Sequence, residues 1–280
     1  MENNAIDNKI EIEWSYSPAN YFEEQINLER ENYSIEISDG HITAKMRADV
    51  FDSQPGLRDS LSQELKDYFL GAQPFRRQSF DIRGGAIIRI WPDGRRDTTL
   101  VIQSAVHMQT AGHIDLVYTD QKGVVHDTRR DRIKATKSVA ELSARHAGSN
   151  LTARKLLDSF DAAVRDPKNE LIHLYEVWDA LQKEFRGKEK AQSTLGISVH
   201  ERSRFGRLAN IEPLNQGRHR GQHAGSLRDA TSEELDEARE IARHRGCKNF
   251  CVNGHLAGDC RTSRENRNDR KQRTDRQPAG

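Results

Sequence analysis

One change of rhythm divides this chain and limits what it can fold into. Up to about residue 128 the apolar residues alternate with polar ones, the period of strands half buried on one face. From about residue 129 they recur every three to four positions, the period of helices that bury one stripe. The two rhythms in that order predict an α+β chain. Residues 1–128 form a mostly antiparallel sheet with one helix, residues 129–245 an all-α helical domain, and residues 246–280 a disordered basic tail.

The strand signals are specific. In IEIEWSY, Ile10, Ile12, Trp14 and Tyr16 alternate. Tyr33, Ile35 and Ile37 alternate up to Asp39-Gly40, and Ile42, Ala44 and Met46 alternate after it. Asp-Gly between two alternating runs is a strong hairpin signal. A second hairpin is predicted around Pro92-Asp93-Gly94, and a third pair of strands, IDLVY and VVHDT, flanks Asp120 to Gly123. The one helix in this half lies in LRDSLSQELKDYFL, where Leu57, Leu61, Leu65, Tyr68 and Phe69 share a face.

In the second half a helix ends at Gly148. The next is capped by Asn150 or Thr152 and stops before Pro167. NELIHLYEVWDALQKEFRG carries Leu171, Leu174, Tyr175, Trp178, Leu181 and Phe185 as a broad apolar stripe, with Tyr175 and Trp178 read as core. Two shorter helices follow over 190–211. After a glycine-rich loop, a last helix is capped by Thr231 or Ser232, and its apolar stripe ends near Arg245.

Composition explains the tail. Apolar residues are 35% of the 280 and charged ones 31%, low and high for a globular chain, so part of it lies outside any core. Residues 261–280 hold seven Lys/Arg against three Asp/Glu, a net of +4, with almost nothing apolar. The whole chain carries a formal net charge of +1, so any drive toward a polyanion has to be local. The opening MENNAIDNKIEIEW has no apolar signal-peptide core. The runs AII and LVI are far too short for a bilayer, and three cysteines confined to 247–260 make no disulfide framework. The expectation is a cytoplasmic protein without a membrane partner. No Ser-His-Asp pattern, phosphate-binding loop of the Walker type or HExxH motif is present, which argues against nucleotide hydrolysis and protease chemistry.

Two clusters carry possible chemistry. The first is NQGRHRGQHAG, residues 215–225, with Arg218, His219, Arg220 and His223. Cleaving RNA without a metal needs a base for the ribose 2′-hydroxyl and a fixed cation for the phosphate. A histidine titrates near working pH, and the planar fork of an arginine holds phosphate. Arg218-x4-His223 resembles the signature of HEPN-domain proteins: an arginine, a polar residue, and a histidine after four to six intervening residues. HEPN domains are small helical bundles, often dimeric, and many are metal-independent endoribonucleases of bacterial toxin and antiphage systems. The resemblance spans at most residues 129–245. It implies that Arg218 and His223 are catalytic and His219 supports them, with RNA as substrate. Gly221, Ala224 and Gly225 depart from the family, in which the motif leads into a helix. The alternative for this stretch is a solvated basic loop. Arg220 and the cluster Arg129, Arg130 and Arg132 would add phosphate contacts; that cluster also reads as the wet face of a helix.

The second cluster is CKNFCVNGHLAGDC, with Cys247, Cys251, His255 and Cys260. Thiolates and an imidazole are tetrahedral zinc ligands. The span resembles the retroviral-type zinc knuckle, a CCHC module that binds single-stranded RNA or DNA. Three residues, Lys248 to Phe250, separate the first two cysteines where the family places two. The alternative is free thiols on an unfolded tail. A non-catalytic nucleic-acid-binding or adaptor protein with a zinc-binding tail is the second functional reading. His107, His113 and His126 with Asp115 and Asp127 read as scattered surface residues. Arg83-Gly84-Gly85 lacks the context of a phosphate cradle.

Overall fold

The structure, a computed structural model, describes residues 8–100, 115–119, 124–223 and 225–253; for His223 and residues 244–253 it describes the backbone alone. The chain divides into two compact units, one of residues 1–69 with 76–112 and one of residues 70–75 with 113–280.

The first unit is built on a six-stranded sheet. Its strands are β1 (Lys9–Ser17), β2 (Ile26–Glu29), β3 (Tyr33–Ser38), β4 (His41–Arg47), β5 (Asp81–Ile90) and β6 (Arg96–Leu100). Their order is β2-β3-β4-β1-β5-β6, and every pairing is antiparallel. The β3–β4 turn falls on Asp39-Gly40, whose φ values of 47° and 84° are both positive, as the tightest hairpin turn requires. Ile10, Ile12, Trp14 and Tyr16 of β1 are buried, as their alternation predicts.

Helix α2 (Leu57–Arg76) supplies the predicted cover. Leu57, Leu61, Leu65, Tyr68 and Phe69 are all buried. Trp14 Nε1 donates to Ser62 Oγ at 3.2 Å, Tyr33 donates its hydroxyl to Glu64 at 2.7 Å, and Tyr21 stacks on Phe69 with ring centres 5.2 Å apart. Burial, with Glu64 beside it, pushes the Tyr33 hydroxyl up to about 12. A short helix α1 (Ala48–Ser53) and strand β2 were not expected from the apolar pattern; each is too short for a period to register.

The glycine pair at 84–85 has a structural purpose. The β1–β5 register shifts between Ile12 and Trp14, and a Cβ on Gly85 would stand 2.8 Å from the Glu13 carbonyl oxygen. Only glycine lets the two backbones approach that closely at the bulge.

The second unit holds a two-stranded ribbon, β7 (Val117–Thr119) with β8 (Val125–Asp127), and six helices among the described residues. These are α3 (Thr128–His146), α4 (Leu151–Arg165), α5 (Glu170–Glu184), α6 (Lys188–Leu195), α7 (Val199–Asn210) and α8 (Ser232–Asn253). Asn150 caps α4, its side chain accepting from Ala153 N at 2.9 Å. Thr231 and Glu234 form a reciprocal capping box at α8. Helix α5 is central. Leu171, Leu174, Val177, Trp178 and Leu181 sit in one apolar cluster with Phe160 of α4, Leu195 of α6, Phe205 of α7 and Ala238 of α8.

Glu170, at the start of α5, is buried and bonds the Arg239 guanidinium of α8 at 2.5 and 2.7 Å. Within this unit, a Cβ on Gly71 would stand 2.4 Å from Ser143 Oγ and 2.7 Å from the Ala140 Cα, so α3 is packed there against bare backbone.

Helix α8 continues to Asn253, past Arg245 where its apolar stripe ends, because one glycine at 246 weakens a helix without breaking it. No helix among the described residues is long and apolar enough to cross a membrane. The basic tail from residue 254 onward lies outside the described residues.

Candidate active site

The segment between α7 and α8 is stitched to the helical unit at several points. Leu214 is buried and forms an isolated bridge with Arg228. Asn215 N donates to the Arg228 carbonyl and Arg228 N to the Pro213 carbonyl, both at 2.9 Å. The Gln216 side chain accepts from Ala230 N at 3.0 Å. Gly217 is buried so deeply that a Cβ would come within 3.3 Å of the Ala209 and Leu214 carbonyl oxygens. Arg218 N donates to the Ala209 carbonyl at 2.8 Å, tying the motif to the end of α7. A single 3-10 turn, Arg220–His223, follows.

The side chains of this loop reach α5. The Arg218 guanidinium lies over the Tyr175 ring, 5.5 Å from its centre, and its Nη1 is 3.4 Å from an Asp179 carboxylate oxygen. Tyr175 and Asp179 are one helical turn apart, so they form a single seat. Burial raises the Asp179 carboxyl above its ordinary range, and Arg218 works against that shift. Arg220 points elsewhere. Its Nε donates to the Gly217 carbonyl at 3.0 Å and its Nη2 to Asn169 Oδ1. Asn169 Nδ2 donates to Asp166 at 2.6 Å, and His173 Nε2 stands 3.3 Å from the same carboxylate oxygen. Asn169, then His173, hold the Asp166 carboxyl below its usual range. His173 Nδ1 is 3.8 Å from Glu176. His219, between the two arginines in sequence, is exposed.

The loop therefore presents two guanidiniums and an exposed imidazole on a fixed backbone. Such a set can hold phosphate oxygens and exchange protons. His223 closes the 3-10 turn by its backbone. Arg218 lies before that turn, so no regular helical step governs the relation between the two.

The other sequence candidates fall elsewhere. Arg129, Arg130 and Arg132 occupy the first turns of α3. There Asp127 caps the helix by accepting from Arg130 N at 3.0 Å, and Asp115 pairs with Arg132 at 2.6 Å. His126 on β8 stacks on Tyr118, with ring centres 4.9 Å apart. His107 and His113 lie outside the described residues. Cys247 and Cys251 are one turn apart on α8, whereas His255 and Cys260 lie outside the described residues. Among the described residues no three His, Cys, Asp or Glu side chains converge as a metal site.

Sequence reasoning missed Asn169, Asp166, His173 and Asp179, and it treated Tyr175 as core alone. Tyr175 does pack on that core, its ring 5.4 Å from Phe205, while its other surroundings include the guanidinium. The i, i+4 spacing of Tyr175 and Asp179 was visible; nothing in it pointed to an arginine 39 residues from Asp179.

Compared with known proteins, the chain matches no family model, no curated protein and no solved structure.

Proposed function

We propose that the loop of residues 215–223 is a phosphodiester site and that the protein cleaves single-stranded RNA without a metal. The observation that carries this reading is the seating of both loop guanidiniums on other parts of the helical unit, with exposed His219 between them in sequence. A solvated basic loop would leave those side chains to sample many rotamers. Here each guanidinium has a partner that orients it, which lowers the entropy lost when a phosphate binds.

In this reading Arg218 holds the phosphate as negative charge grows on it. His223 takes the proton from the ribose 2′-hydroxyl. The 2′-oxygen bonds to phosphorus, the bond from phosphorus to the 5′-oxygen breaks, and the leaving oxygen receives a proton from His219. The products are a 2′,3′-cyclic phosphate and a 5′-hydroxyl end. The HEPN resemblance of Arg218-x4-His223 supports the same assignment and places the activity among bacterial toxin or defence ribonucleases.

The test is cleavage of labelled single-stranded RNA by the full chain in excess chelator, beside Arg218→Ala and His223→Ala. The expected result is cyclic-phosphate ends from the wild type and a loss of about 100-fold or more in each variant. Full activity in His223→Ala, or no cleavage by the wild type, overturns the reading. Binding of RNA without cleavage, together with zinc retained by Cys247 and Cys260, would transfer the function to a nucleic-acid-binding protein.

A further inference from the structure

The two loop arginines are held at well-separated heights of the α5 segment. Arg220 meets Asn169, just before the first turn, while Arg218 meets Tyr175 and Asp179 in the second and third turns. Eight residues separate Asn169 from the midpoint of the Tyr175–Asp179 seat. At 1.5 Å of rise per residue that is about 12 Å along the axis. Residues 218 and 220 are near neighbours in the chain, so their side chains must diverge to reach these seats.

From this geometry we infer that Arg218 and Arg220 contact different phosphates of one strand, so that the site takes an oligonucleotide and engages a dinucleotide only in part. The inference rests on the proposed phosphodiester site and adds its substrate class. One phosphate is too small to bridge about 12 Å. A stacked strand, with phosphates roughly 3.4 Å apart along its axis, covers that span in about three to four phosphate-to-phosphate steps. Each guanidinium has donors beyond those used in its seat. Arg220 spends N–H groups on Gly217 and Asn169, and Arg218 spends one on Asp179. The seats fix direction, and the remaining N–H groups meet the ligand. Asp179 stands at the Arg218 head, and Asp166 shares Asn169 with Arg220, so a phosphate is expected on the N–H groups of each guanidinium that face away from these carboxylates.

Two assays on the full chain test this at fixed low salt, each with oligouridines of two and six nucleotides. One measures cleavage as kcat/KM. The other measures anisotropy of fluorescein-labelled 2′-O-methyl strands, which have no 2′-hydroxyl and cannot be cut. The expected wild-type advantage of the hexamer over the dimer is about tenfold or more, the value of one charge-assisted phosphate contact. Arg220→Ala should bring that ratio close to one. Asn169→Ala keeps the charge and removes its seat, and should lower the ratio part of the way; it also reads the effect if Arg220→Ala folds poorly, which a circular-dichroism melt shows.

A hexamer-to-dimer ratio near one in the wild type overturns the inference. So does a ratio unchanged in both variants. If no strand is cut but the binding ratio is about ten and falls with Arg220→Ala, the ribonuclease reading fails and the two-phosphate site stands.

Discussion

The β5–β6 hairpin and the loop between α7 and α8 are assembled from the same chemical set: arginines, one aromatic ring and a carboxylate. In the hairpin the ring, the carboxylate and both arginines lie within nine residues, and only Arg89 reaches beyond them, to Asp52 of α1. Trp91 carries Arg95 at 4.6 Å and Arg89 at 5.7 Å from its ring centre, and its Nε1 donates to Asp97 at 2.6 Å. In the loop, Arg218 finds its ring 43 residues away at Tyr175 and its carboxylate 39 residues away at Asp179. Trp91, Arg95 and Asp97 are brought together by strand register alone and stabilise their own turn. A cluster made by tertiary folding is indexed to the helical core, so its guanidiniums have a defined place relative to α5. On that difference rests the proposal that the loop, and not the hairpin, carries the chemistry.

The comparison breaks most decisively on activity. Arg218→Ala should lower RNA cleavage by about 100-fold or more, while Arg95→Ala leaves it unchanged. Equal losses in both variants, measured side by side, would remove the distinction. Next comes stability. Removing Glu170, whose side chain is only 7% exposed, takes two bonds from the Arg239 guanidinium and leaves it Asp236 at 3.0 Å, and should cost about 1–3 kcal/mol in urea unfolding. Asp97→Ala, in an exposed hairpin pair, should cost under about 1 kcal/mol. A Glu170→Ala cost below that of Asp97→Ala would contradict the contrast.

A smaller effect sharpens the picture of the hairpin. Gly94 has a φ of 83° with open space around it, so Gly94→Ala should cost about 1 kcal/mol through backbone conformation alone and leave RNA binding intact. A further effect depends on pH. Arg228, on the far side of the loop, holds the Glu234 carboxyl at about 2 against an ordinary 4.5. The folded state thus favours the ionised form. Its stabilisation is complete above about pH 4.5 and is lost as the pH falls through 2. Wild type should exceed Glu234→Gln in stability at pH 6, and the gap should close toward pH 2. A gap that widens with acid would show that the pair does not stabilise the fold.

Much of the architecture was legible in order along the chain. The alternating runs at 10–16, 33–37 and 42–46 marked strands, and Asp39-Gly40 marked their turn. Asn150 or Thr152, and Thr231 or Ser232, marked helix starts, and the structure chose Asn150 and Thr231; a cap is a local hydrogen bond between near neighbours. Strand β2 and helix α1 were not legible, because four to six residues are too few to show a period. The glycine at 85 could be seen but not explained until β1 was laid beside it.

The chain's own order of residues determined where strands give way to helices, which faces are apolar, and which loop concentrates Arg218, His219, Arg220 and His223. These depend on spacing, and spacing is written in the sequence. Only the tertiary structure decided that Arg218 rests on Tyr175 and Asp179 and Arg220 on Asn169. Such contacts join residues 39 to 51 positions apart, and no period or local bond encodes which distant surface a side chain will meet. That choice follows from burying the α5 stripe: once Leu171, Leu174, Trp178 and Leu181 turn inward, the positions left beside them become the ground on which the loop must lie.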